Sequence, residues 1–232
     1  MLMYIIYIGI IMLIPMWASH NVKSTFNKYA RVRSTSGLTG KEVAEQMLRD
    51  HGITDVRVEQ GQGFLSDHYD PRAKVVRLSP HNYNKPSVSG TAVAAHEIGH
   101  AIQHAEGYSF LNFRTALFPV ASLGSQASYL FIMAGIFLTY MNNTMGSFGA
   151  TLLWIGIGLM SLGVLFQIIT LPVEFNASHR AMQYIKSHKI VNEKEYSHAN
   201  KVLKAAAMTY VASAAVAVAE LLRLILIAKS QD

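Results

Sequence analysis

The chain has 232 residues, 51% hydrophobic and only 15% charged, with a formal net charge of +6 and no cysteine. That balance argues against an ordinary soluble domain, points to a membrane protein, and excludes a disulfide framework. The positive excess has neither the aromatic interleaving nor the motif context of a nucleic-acid binder; membrane orientation and contact with anionic headgroups account for it.

The first 17 residues, MLMYIIYIGIIMLIPMW, are an apolar run. No basic n-region precedes it, since the first lysine is Lys23, and no clear small-residue cleavage site follows. Residues 1–17 are therefore expected to remain as an uncleaved anchor, the alternative being a removed signal peptide. A polar segment, residues 18–116, comes next. Within it TGKE, residues 39–42, matches a capping box, and VAEQMLRDHG sets Val43, Met47 and Leu48 on one face of a short helix ending near Gly52. ITDVRVEQ alternates like a strand, GQG interrupts it, and DHYDPRAKVVRLSP reads as a turn at Asp70-Pro71 leading into a second strand. After a polar loop, HNYNKPS, the run VSGTAVAAHEIGHAIQHAEG is predicted helical to about Gly107.

From Thr115 to Val173 there is no Asp, Glu, Lys or Arg for 59 residues. One spanning helix needs about 20 apolar residues, so this block suits a two-span hairpin over residues 117–173. Its reversal is expected at MNNTMGS, residues 141–147. A polar helical segment, 174–204, leads to a last apolar stretch, 205–228, whose alanine-rich face suits close helix packing. Glu220 and Arg223, three apart, are placed to pair and so to lower the cost of charge near lipid. An amphipathic helix lying in the interface is the alternative for this stretch. The fold class expected is a mainly α integral membrane protein with about four transmembrane helices and a small α+β zincin-like cytoplasmic domain.

Of the 20 Lys and Arg, 12 fall in residues 18–116 and six in residues 174–204. The positive-inside tendency places both polar segments in the cytoplasm and both termini outside. Absence of cysteine agrees with a reducing compartment.

The chemistry lies in HEIGH, residues 96–100. On a helix, positions four apart share a face, so His96 and His100 can aim ring nitrogens at one zinc ion. Glu97 is placed to act as general base on a water that zinc acidifies toward a pKa of about 7. Two ordinary surface histidines are the bland reading, but AVAAHEIGHAI otherwise looks buried, where unpaired polar groups are costly. Gly99, a poor helix former, fits close approach by another backbone.

Two histidines leave a catalytic zinc one protein ligand short. Asp67, Asp70, His68, His81 and His104 are candidates within the polar segment. A third ligand from His104 would sit too far along the same helix, so His104 is expected at the surface. Topology favours Glu174, the first charge after the 59-residue block: a two-span hairpin returns the chain to the side it left. An ordinary headgroup-level charge is the competing reading of Glu174.

HEIGHAIQ, followed after the hairpin by VEFNASHRA, resembles the YugP-like family of neutral zinc metallopeptidases of bacterial membranes. The likeness extends through GLTGKEVA, GFLSDHYDPRAKVVRLSP and LPVEFNAS, in the family's order. It implies a membrane-embedded zinc endopeptidase of the gluzincin type, HEXXH plus a glutamate, with His96, His100 and Glu174 as ligands and Glu97 as base. Ser178 stands where more distant relatives carry aspartate, and its hydroxyl is a weaker acceptor for a ligand histidine. His179 or Arg180 is placed to stabilise a developing oxyanion, with plain surface charge as the alternative. His68 and Tyr69 in SDHYDP are candidates to overhang the cleft. KVVRLS resembles the edge strand on which zinc proteases bind extended substrate, or is simply a structural strand.

The expected partners are a polypeptide substrate, membrane-associated or soluble, and the lipid bilayer, with no nucleic acid; nothing specifies an oligomeric state. A membrane scaffold with a structural zinc is the competing class, and it needs a fourth protein ligand, for which His68 is the candidate. Zinc transport is disfavoured because the apolar spans carry no clustered His or carboxylate.

Overall fold

The computed structural model describes residues 2–141 and 146–229. Along them run α1 (Leu2–Ala30), α2 (Gly40–Asp50), β1 (Arg57–Gln60), β2 (His68–Asp70), β3 (Val75–Leu78), α3 (Pro80–Asn84), α4 (Val88–Ala105), α5 (Ser109–Met141), α6 (Gly146–Ser187) and α7 (Glu193–Lys229). The architecture is thus mostly helical with one small sheet. The chain divides into two units, one of Met1–Leu111 with Pro172–Thr209, the other of Asn112–Leu171 with Tyr210–Asp232.

Among the described residues, four helices are long and apolar enough to cross a membrane: Ile5–Ala30, Ser109–Thr139, Gly146–Ser187 and Glu193–Lys229. Large apolar side chains stand out on them, with Leu123 and Leu130 each 70% exposed and Leu226 69% exposed. A soluble surface does not tolerate so much contiguous apolar area, whereas lipid does. These helices run past the apolar runs that announce them, because polar residues continue a helix without adding to a hydrophobic pattern. The expected reversal at 141–147 falls largely on residues 142–145, outside the described residues.

In the second unit α5 and α6 approach backbone to backbone through small residues. A Cβ at Gly135 would lie 2.6 Å from the Leu153 nitrogen, and one at Gly149 would lie 2.7 Å from the Thr139 nitrogen. Such contacts are how apolar helices associate without a hydrophobic driving force between them. On α7, Arg223 Nη2 donates to Glu220 Oε2 at 2.8 Å, the pairing their spacing allows.

The first unit carries the sheet and the polar helices. α2 opens on the capping box: Thr39 Oγ1 accepts from the Glu42 nitrogen, and the Glu42 carboxylate accepts from the Thr39 nitrogen. It closes ahead of Gly52, whose φ of +66° is the left-handed geometry glycine provides after a helix. Its apolar face, Val43, Met47 and Leu48, is buried.

The strand order is β1-β3-β2, with β1 parallel and β2 antiparallel to β3. Asp70 makes the β2–β3 turn by accepting from the Arg72 and Ala73 nitrogens. β3 is therefore the central strand, and KVVRLS is not a substrate-facing edge. Val75, Val76 and Leu78 are all buried there, as a strand covered on both sides requires. Of the segment HNYNKPS, expected as loop, the first four residues lie in α3 instead. Pro80 sits at its start with φ preset for a helix, while Asp67 accepts from the Ser79 nitrogen and from Asn82 Nδ2.

Ser87 caps α4 by accepting from the Gly90 nitrogen, and Gly107, with φ of +65°, lies just past its end. Ala95, Ile98 and Ile102 of α4 join Val43 of α2, Ile185 of α6 and Val202 of α7 in one buried core. That core holds the HEIGH helix against the end of α6 that bears Glu174.

Candidate metal centre

Gly99 decides how closely α4 and α6 can meet. A Cβ there would lie 2.7 Å from the Ala177 carbonyl oxygen and 3.1 Å from its Cα. With a bare glycine facing a fully buried alanine, the backbones touch, and Glu174 one turn before Ala177 comes level with both histidines.

His96 Nε2 lies 3.4 Å and His100 Nε2 3.6 Å from Glu174 Oε2. The two imidazoles stand edge to face, centroids 4.7 Å apart, and the three ligand atoms all fall within 4.8 Å of one another. Two ligand atoms about 2.0–2.2 Å from a tetrahedral zinc are separated by roughly 3.4 Å. The two spacings to Glu174 match that separation. Two imidazoles and a carboxylate are also a donor set that zinc accepts.

The second nitrogen of each ring is engaged. His96 Nδ1 lies 3.1 Å from Ser178 Oγ, and His100 Nδ1 lies 3.0 Å from Gln103 Oε1. In both rings it is Nε2 that faces Glu174. The family resemblance implies Ser178 only as a weaker acceptor for a histidine; its hydroxyl lies beside His96 Nδ1. Gln103 was not singled out, although its position three residues after His100 on the same helix was a usable signal.

Glu97 is buried beside the trio. Burial above all pushes its carboxyl upward; His96 and His100 pull the other way, and Asp67 and Glu174 add to the rise. Burial disfavours charge on His100, but the hydrogen bond and charge of Glu174 outweigh it and raise His100 above the ordinary histidine range. In the metal-free protein a proton thus competes with a cation for this ring.

Among the described residues, His96, His100 and Glu174 are the one group of three or more potential ligand side chains that converges, and no fourth joins them. A structural zinc site is normally closed by four protein ligands, so the scaffold reading is not favoured. His68 is exposed, its Nδ1 2.8 Å from the Ser66 carbonyl. His104 is exposed and meets the Tyr69 hydroxyl at 2.8 Å. His179 is exposed. Arg180 is tied to Glu106 at 2.7 Å and to Asn176 Oδ1 at 2.8 Å. Asp67 and Asp70 are used to cap α3 and to make the hairpin turn.

Residues 4–229 match the model of the family described as "Putative neutral zinc metallopeptidase". The chain belongs to this family. It is also 47% identical over 211 residues to a Bacillus subtilis (strain 168) protein named "Putative membrane protease YugP", covering 91% of this chain and 90% of that one. No solved structure matches. Zinc is the metal that membership in the family implies, and the trio on α4 and α6 has the spacing and the donors to hold it.

Proposed function

We propose that the chain is an integral-membrane zinc endopeptidase of the gluzincin type, with HEXXH supplied by residues 96–100 and the third ligand by Glu174. The observation that supports this best is the convergence of His96, His100 and Glu174, with both histidine Nε2 atoms 3.4–3.6 Å from the Glu174 carboxylate. Zinc, when held by these three, supplies a Lewis acid that acidifies water and polarises a carbonyl. Glu97 is the base: its carboxylate takes a proton from the attacking water as the new C–O bond forms, then returns it to the amide nitrogen as the C–N bond breaks. Burial suits that task, since it raises the carboxyl's affinity for the proton it must take from water. The polypeptide substrate and the protease class follow from the family and from the name of the related protein.

The site's place at the membrane surface is supported by helix length. A helix of 42 residues rises about 60 Å, roughly twice the hydrocarbon thickness, so part of α6 lies outside the apolar layer. Glu174, beyond the charge-free block, belongs to that part. The excess of Lys and Arg in residues 18–116 and 174–204 supports a cytoplasmic zincin-like domain.

Both points are tested together with membrane vesicles and an unfolded soluble polypeptide as substrate. Inside-out vesicles are expected to cleave it, to lose the activity to a membrane-impermeant chelator, and to regain it on adding zinc. Cleavage by neither vesicle type overturns the protease reading. Cleavage by right-side-out vesicles alone overturns the orientation.

A further inference from the structure

Gln103 is fully buried, and the groups around it leave its amide one orientation. One end lies 2.8 Å from the Val173 carbonyl oxygen, which can only accept a hydrogen bond. The same end lies 2.9 Å from Asn176 Oδ1, and that atom is identified as oxygen because Arg180 Nε, a pure donor, reaches it at 2.8 Å. Facing two acceptors, this end of Gln103 is the NH2 group. The opposite end, Oε1, then faces His100 Nδ1 at 3.0 Å and must accept. His100 therefore carries a proton on Nδ1, which leaves Nε2, 3.6 Å from Glu174 Oε2, as the ring nitrogen open to a cation or a second proton. Ser178 does not do this for His96, since a hydroxyl can donate or accept.

On this basis, which rests on the ligand set proposed above, we propose that Gln103 is a positioning residue of the metal centre. It selects the His100 tautomer that leaves Nε2 free for zinc. Through Val173, the residue before Glu174, it also ties that ring to the helix carrying the third ligand. The chain of donors and acceptors continues from Asn176 through Arg180 to Glu106 at the surface.

The test is zinc affinity by chelator competition, together with the visible absorption of the cobalt-substituted full-length protein in detergent. Gln103→Met keeps volume but removes both hydrogen-bonding ends. It is expected to weaken zinc binding about 10- to 100-fold and to alter the cobalt bands. Gln103→Glu keeps an acceptor for the Nδ1 proton but sets its second oxygen against the Val173 carbonyl and Asn176 Oδ1, so it is expected to recover part of that loss. A packing role alone predicts the reverse order, with Met tolerated in the buried site and Glu not. Wild-type affinity and spectrum in Gln103→Met, or equal loss in both variants, overturns the proposal. His100→Ala separates the two levels: if it abolishes tight zinc binding while Gln103→Met changes nothing, only the role of Gln103 falls. If His100→Ala keeps wild-type zinc affinity, the ligand set itself falls, and Gln103 with it.

Discussion

Glu97→Gln is expected to keep its zinc and to lose proteolysis by about 100- to 10,000-fold, the range in which a positioned general base acts. The two effects separate because Glu97 lies outside the group of ligand atoms formed by His96, His100 and Glu174, while its carboxylate is the buried acceptor beside them. Glutamine matches the shape and fills the same space. What it lacks is the ability to take a proton from water at neutral pH. The measurement is zinc content and turnover on the same purified preparation. Loss of zinc in step with activity would make Glu97 a ligand, and full activity would remove it from the chemistry.

The second large effect comes from a residue that touches neither metal nor substrate. Gly99→Ala places a methyl group 2.7 Å from the Ala177 carbonyl oxygen, closer than real Cβ contacts allow, and the obstacle is backbone. The two helices must separate. Overpacking of this kind costs about 1–3 kcal/mol, and Glu174 moves with α6 while the histidines stay on α4. Both thermal stability and zinc affinity are expected to fall. Gly158→Ala is the matched control, because nothing lies within 4 Å of a Cβ there; alanine at that helical position is expected to be neutral or slightly stabilising. Thermal melting and chelator competition on both variants, side by side, check the pair. Wild-type zinc affinity in Gly99→Ala would contradict the close-approach account.

How much of this was legible in sequence depended on how local the cause was. The capping box at Thr39 and Glu42 is written in four adjacent residues, and α2 begins where it says. The HEIGH helix follows from its own periodicity, and Gly99 within it already hinted at a close backbone. Glu174 came from counting: 59 uncharged residues are enough for two spans, which brings the next charge back to the motif's side. The strand order did not follow, since nothing in KVVRLS tells a central strand from an edge until its neighbours pair with it. α3 does not follow from the sequence either, because a proline after serine opens a helix or a turn with equal ease, and the capping carboxylate of Asp67 lies 12 residues away. The orientation of Gln103 was out of reach for the same reason. It is set by the Val173 carbonyl, 70 residues on, and by an arginine on the same distant helix.

The central claim is that α4 and α6 together hold one zinc, and zinc affinity of Glu174→Ala against wild type tests it most directly. Wild type is expected to retain about one zinc per chain, and Glu174→Ala to bind it more weakly by more than about 100-fold, beyond the loss from disturbing a ligand's hydrogen-bond partner. Wild-type zinc affinity in Glu174→Ala would contradict the account.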